Sequence, residues 1–189
     1  MAYHAIFCAY GFWLPNDPRG SWSDFVRSWE LYKFGPATKV DTRASVAHMP
    51  HDRERRLAAK QALRYPPVIF SGVQARAIGH GFAHAVERSG YVIHACSILP
   101  EHVHVVVGRH SYRVERIVAQ LKGEATKQLL TEGIHPMRAR PNADRELPSP
   151  WSISCWKVFL STPEAVQRAI EYAEGNPQRK ENHGKNGVL

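Results

Sequence analysis

Long apolar runs are missing from this sequence of 189 residues. No stretch approaches the roughly 20 apolar residues of a membrane-spanning helix, and the first residues lack the charged region of a signal peptide. Cysteine is scarce, since Cys8, Cys96 and Cys155 lie far apart and form no Cys-x-x-Cys pair, which excludes the usual zinc and redox motifs. We therefore expect a cytoplasmic protein whose thiols are buried and stay free in a reducing compartment.

Positive charge and enough apolar side chains for a core are what the sequence does have. Lys and Arg number 25 against 17 Asp and Glu, which gives a formal net charge of +8. A hydrophobic content of 43% in a chain of this length is sufficient for one ordinary domain. The charge balance favours a polyanionic partner, with nucleic acid ahead of an anionic membrane surface.

The hydrophobic periodicity predicts four strands and three helices in the core of the protein. The strands are predicted at 3–13, 91–99, 102–108 and 151–160. The helices are predicted at 71–88, at 114 to about 133, and from 163 to a Gly-Asn-Pro end at 175–177. This order is the split βαβ pattern followed by a further helix. It predicts an α+β, ferredoxin-like fold, with a four-stranded antiparallel sheet and helices on one face.

Residues 15–67 break these patterns and are predicted to form an insertion after the first strand, with one helix at 53–65. Basic and aromatic side chains alternate there, Arg19 and Trp22 among them, which suits binding of a single nucleic-acid strand. Packing of the aromatic rings within the protein explains the mixture equally well. We predict one domain over 1–178, including this insertion, and a polar basic tail at 179–189.

Two histidines in the third predicted strand are candidates for metal binding. His102 and His104 are two residues apart, so both side chains leave the same face of the strand. Their ring nitrogens can then converge on one ion at about 2 Å from each. A pair with this spacing also arises by chance in a chain with 11 histidines, so the spacing alone does not separate a metal site from an amphipathic strand.

Two other histidine arrangements are weaker candidates. His80 and His84 have the helical spacing of a zinc protease, but no Glu follows the first of them and both fall on the polar face of the helix. We interpret them as solvated surface residues. A two-histidine RNA phosphodiesterase needs a second His-x-Ser or His-x-Thr motif, and the sequence contains none.

Two segments in the second half of the chain resemble one known family. Leu-Pro-Glu-His-Val-His-Val-Val-Val at 99–107 resembles the histidine–hydrophobic–histidine segment of HUH endonucleases, specifically the single-tyrosine transposases of small insertion sequences and the REP-associated tyrosine transposases. Tyr-Ala-Glu-Gly-Asn-Pro at 172–177 resembles the end of the helix on which that family carries its nucleophilic tyrosine. The order of the two segments is also that of the family, and the similarity covers about 91–177 plus the first strand.

This resemblance implies a single-stranded DNA endonuclease and strand transferase. Tyr172 would be the nucleophile, and His102 and His104 would hold Mg²⁺ or Mn²⁺, with Asn176 as a third ligand. Phenols are weak nucleophiles at neutral pH because few of them are ionised, so such a tyrosine depends on the metal to activate the phosphate. The implied substrate is a hairpin or another structured single strand.

Several alternatives remain open at the level of the sequence. Tyr172 also fits the edge of the apolar stripe of its helix, and Asn176 fits a helix-ending turn. Lys122 and Lys127 resemble the family's basic middle helix and are predicted DNA contacts, although a solvated helix face explains them as well. A replication initiator or relaxase-like nickase, a catalytically silent DNA-binding protein, and a homodimer that shares its site all remain possible.

Overall fold

Four strands form one antiparallel sheet in the computed structural model. They are β1 Ala2–Ala9, β2 Ile93–Ile98, β3 His102–Gly108 and β4 Trp151–Leu160. Their order in the sheet is β2-β3-β1-β4, and each neighbouring pair is antiparallel. This arrangement confirms the predicted α+β fold with a four-stranded antiparallel sheet. The structure describes residues 1–15, 17, 29–35, 52–139 and 146–185, with only the backbone for 29 and 176–185.

Five helices lie in the described ranges. They are α1 Trp29–Tyr32, α2 Arg53–Gln61, α3 Gly72–Ser89, α4 Val114–Thr131 and α5 Pro163–Lys185. The local sequence explains the two ends of α3. Ser71 and Gln74 form a reciprocal capping box at its start, and Gly90 ends it with φ 69°. None of the described helices is long and apolar enough to cross a membrane.

The two faces of the sheet carry different helices. Phe7 of β1 contacts Phe82 of α3, with ring centroids 6.0 Å apart, and the ammonium of Lys122 in α4 lies over the same Phe7 ring. On the opposite face, Ala169 and Ala173 of α5 pack in a second cluster with residues of the strands. The prediction of helices on one face is therefore correct for α3 and α4. It is wrong for α5, because Ala169 and Ala173 present their small side chains to the other face.

Several predicted boundaries are also corrected. The first strand ends at Ala9 and not at 13, because the register shifts between Phe7 and Ala9 and Gly11 turns the chain at φ 77°. The last helix continues to Lys185 and does not end at 175–177. Pro177 lacks the N–H for one helical hydrogen bond, but the residues that follow it are mostly strong helix formers. The second strand and the helix predicted at 53–65 are each shorter than expected.

The chain divides into two compact units. One consists of Met1–Ala9 and Ile69–Leu189, and the other of Tyr10–Val68. The insertion predicted at 15–67 lies within the bounds of the second unit. That unit has an apolar cluster of its own, formed by Leu14, Leu31 and Ala59 with Phe34 and Leu63 against them. The three cysteines form no disulfide, and of the three thiols predicted to be buried only that of Cys8 is, since Cys155 is half-buried and Cys96 is exposed.

Candidate active site

Strand β3 places both predicted metal-binding histidines on one face of the sheet. The ring centroids of His102 and His104 are 4.9 Å apart, as their spacing of two residues predicts. His104 is 2% exposed, whereas His102, at the start of the strand, is partly exposed. The valines that alternate with them point to the face covered by α3 and α4. The two imidazoles therefore lie on the face that carries α5.

Helix α5 brings Tyr172 to this histidine pair. The ring centroid of Tyr172 lies 5.5 Å from that of His104, and the two planes are inclined at 69°. One turn of the helix positions the ring, because Ala169 and Ala173 bury the neighbouring part of α5 against the sheet. Tyr172 itself is 42% exposed. The structure thus unites residues from both sequence segments, and it leaves the tyrosine accessible to a large substrate.

A third histidine, His4 of β1, completes the group of rings. Its Nε2 atom lies 3.2 Å from Nδ1 of His104, within hydrogen-bonding distance. In the register of β1 with β3, His4 is opposite Val106 and Ile6 is opposite His104, so His4 and His104 are diagonal neighbours on one face. Burial lowers the pKa of His4 to about 4. Its imidazole is therefore neutral at pH 7.

Trp156 of β4 lies on the other side of His4. Its ring centroid is 5.6 Å from that of His4, with the planes at 89°, and the ring of Tyr172 is 5.9 Å from His4. His4 is only 6% exposed among these neighbours. Neither His4 nor Trp156 was predicted from the sequence to be part of the site. The alternation of side chains along β1 predicts which face of the strand carries His4. Its neighbours on that face follow only from the position of β1 between β3 and β4.

The donor groups fit a divalent metal, although the described residues supply only two of the three predicted ligands. Within those residues, no group of three or more His, Cys, Asp or Glu side chains is arranged to hold an ion. His102 and His104 offer two imidazole nitrogens. Helix α5 passes through position 176, one turn after Tyr172, but the side chain of Asn176 lies outside the described residues. Two imidazoles and an amide oxygen are a donor set that Mn²⁺ accepts.

Of the predicted DNA contacts, the two that the structure describes, Lys122 and Lys127, are not part of this group of rings. Lys122 donates hydrogen bonds from Nζ to the carbonyl oxygens of Ser152 and Ser154, at 2.7 and 3.1 Å. Lys127 is exposed and pairs with Glu124 at 2.8 Å. Both lysines belong to α4, on the sheet face opposite the histidines. Arg19 and Trp22 lie outside the described residues.

The competing histidine pair on α3 has an exposed environment. The side chain of His80 is more than half exposed and lies 3.8 Å from a carboxylate oxygen of Glu132. His84 is exposed as well. This placement agrees with the interpretation of both residues as solvated surface groups.

Comparison with known proteins gives similarity to solved structures only. No protein-family model and no curated protein matches the chain. The chain is similar to the structure of a REP-associated tyrosine transposase bound to a REP hairpin, with 10% identity, a TM-score of 0.48, and coverage of 95% of this chain and 67% of that one.

A second similar structure is that of a protein proposed to be a transposase, from Deinococcus radiodurans. It has 13% identity and a TM-score of 0.41, and the match covers 97% of this chain and 89% of that one. Both structures are described as transposases. Because neither is more than 13% identical to this chain, neither transfers an activity to it.

Proposed function

We propose that this protein is a metal-dependent single-stranded DNA endonuclease and strand transferase of the transposase type, with Tyr172 as the nucleophile. The observation that carries the proposal is the contact between Tyr172 of α5 and His104 of β3, at 5.5 Å between ring centroids. The two sequence segments that resemble the tyrosine transposases meet at this contact. A core tyrosine would be buried by α5, whereas Tyr172 is 42% exposed.

Residues of this chain account both for metal binding and for the attack on the scissile phosphate. His102, His104 and Asn176 would hold Mg²⁺ or Mn²⁺. When bound, this ion withdraws charge from the non-bridging oxygens of the scissile phosphate. The phenol oxygen of Tyr172 then forms a bond to phosphorus while the bond from phosphorus to a sugar oxygen breaks. The departing oxygen gains a proton and the phenol loses one, so the products are a phosphotyrosine and a free hydroxyl.

Storage of the phosphodiester as a phosphotyrosine makes the reaction reversible. A hydroxyl of another strand can attack the same phosphorus, which restores the phenol and joins the strand without an external energy source. Cutting and rejoining at one residue is the chemistry that strand transfer requires. The net charge of +8 favours binding of the polyanionic substrate.

The sheet face supplies a buried base for this reaction. His104 is buried in β3, and the neutral ring of His4 separates it from Trp156. His104 is therefore shielded from solvent on the sheet side, at 2% exposure, while Tyr172 is 42% exposed. We propose a hairpin or another structured single strand as substrate, as the resemblance of the two sequence segments implies.

Incubation of the protein with an end-labelled single-stranded hairpin and Mn²⁺ tests this proposal. We expect cleavage with Mn²⁺, no cleavage after addition of EDTA, and little cleavage of the same sequence annealed as a full duplex. Metal removal is expected to reduce the rate by about a thousandfold or more, because the ion contributes several kcal/mol to the transition state. Tight hairpin binding without cleavage under any metal would contradict the proposal and favour a catalytically silent DNA-binding protein.

A further inference from the structure

The hydrogen bond between His4 and His104 holds one proton between two nitrogen atoms. Nε2 of His4 and Nδ1 of His104 are 3.2 Å apart, and both rings are buried, at 6% and 2% exposure. In a hydrogen bond between two imidazoles, one nitrogen of the contact donates and the other accepts. The direction of the bond therefore fixes the tautomer of both rings.

The two directions have opposite consequences for metal binding. If Nε2–H of His4 donates the hydrogen bond, Nδ1 of His104 accepts it. The ring proton of His104 then resides on its Nε2, which has no lone pair for a metal. If His104 donates from Nδ1, its Nε2 is unprotonated and carries a lone pair that can ligate a metal. Only the second direction makes His104 a metal ligand through Nε2.

We propose that His4 is a positioning residue that accepts the hydrogen bond from Nδ1–H of His104, so that Nε2 of His104 is available to a divalent ion. The metal-binding part of this inference rests on the proposed function. The register of β1 with β3 brings the two rings together. The rings of Trp156 and Tyr172 hold His4 from two further sides, at 5.6 and 5.9 Å between centroids.

The tautomer of His104 is measurable in the metal-free wild-type protein. Long-range ¹H–¹⁵N correlation spectra of ¹⁵N-histidine-labelled protein at neutral pH distinguish protonated from unprotonated ring nitrogens. The signals of His104 are assigned by their loss in a His104→Asn variant. We expect Nδ1 protonated and Nε2 unprotonated, and the opposite tautomer would overturn the proposal.

Two substitutions at position 4 then separate a positioning role from a purely structural one. His4→Gln keeps an acceptor, Oε1, whereas His4→Leu removes it. We expect His4→Leu to weaken Mn²⁺ binding by about 10- to 100-fold in calorimetric titration, and His4→Gln to restore most of the affinity. His84→Leu, at the exposed α3 position, is the matched control and should bind like wild type.

Equal Mn²⁺ affinity in wild type and in a folded His4→Leu variant would overturn the proposal. Equal losses in the Leu and Gln variants would also overturn it, because a structural role does not depend on an acceptor atom. If His4→Leu fails to fold, the wild-type tautomer and the Gln variant still decide the question. The tautomer requires neither metal nor DNA, so its failure is distinguishable from a failure of the proposed cleavage chemistry.

Discussion

Replacement of Tyr172 by phenylalanine is expected to abolish cleavage of a single-stranded hairpin. Phenylalanine keeps the ring that contacts His4 and His104 at 5.9 and 5.5 Å, but it lacks the oxygen that forms the bond to phosphorus. The metal site and the fold should therefore persist. We expect no detectable product in a denaturing gel, with hairpin affinity and Mn²⁺ affinity unchanged from wild type.

Tyr3→Phe is the matched control for this variant. Tyr3 belongs to β1, next to His4, but its side chain points to the opposite face and its ring contacts Phe159 at 5.2 Å. The Tyr3→Phe variant lacks one tyrosine hydroxyl, as Tyr172→Phe does, but it keeps Tyr172, the proposed nucleophile. Tyr3→Phe should cleave at the wild-type rate, and equal cleavage by Tyr172→Phe would mean that another group attacks the phosphate.

The largest expected effect on stability is at Gly81, where α3 and α4 approach each other. A Cβ atom at Gly81 would lie 2.6 Å from Cα of Ala125 and 2.7 Å from the carbonyl oxygen of Glu124. Both contacts are with backbone, so no side-chain rotation relieves them. Gly81→Ala should therefore lower the free energy of unfolding by about 1–3 kcal/mol, despite the better helix propensity of alanine.

Gly79→Ala is the control on the same helix. A Cβ atom there meets only Cδ1 of Ile98, at 3.7 Å, which is ordinary van der Waals contact. This variant should gain about 0.5–1 kcal/mol, because alanine loses less backbone entropy than glycine in a helix. Urea denaturation of both variants gives the comparison, and a Gly81→Ala protein as stable as Gly79→Ala would refute the close packing of α3 on α4.

Much of the fold was predictable because its strands have clear sequence boundaries. β3 and β4 begin and end where predicted, at His102–Gly108 and Trp151–Leu160. Pro100 and Glu101 lie between β2 and β3. After β4, Thr162 and Pro163 form a typical helix start. These signals are local, so they do not depend on tertiary structure. The end of α5 was predicted incorrectly because glycine and proline usually terminate a helix.

The site was predictable only where its residues are related by local spacing or by family resemblance. His102 and His104 share a strand, and the position of Tyr172 followed from the resemblance. His4 is a hundred positions from His104, and its role depends on which strand lies next to β3 and in which register. Hydrophobic alternation predicts the faces of a strand, but it does not predict its partner or register.

The surroundings of Lys122 illustrate a related limit, while its contact with DNA stays a prediction. Its spacing on α4 marks it as lying off the apolar stripe, which is usual for solvated or ligand-binding residues. The structure instead places its ammonium against two carbonyl oxygens of β4. Burial lowers the pKa of Lys122. A helical pattern predicts which side chains lie outside the core, but not which of them form hydrogen bonds with a neighbouring strand.

The proposed reaction forms a covalent bond between Tyr172 and DNA, and peptide mapping detects this bond. Wild-type protein is incubated with a hairpin and Mn²⁺, digested with nuclease and trypsin, and analysed by mass spectrometry. The tryptic peptide 169–179 contains one tyrosine, Tyr172. We predict that this peptide carries a nucleotide through a phosphodiester at Tyr172. Hairpin cleavage with the peptide unmodified, or with the nucleotide on another residue, would contradict the account.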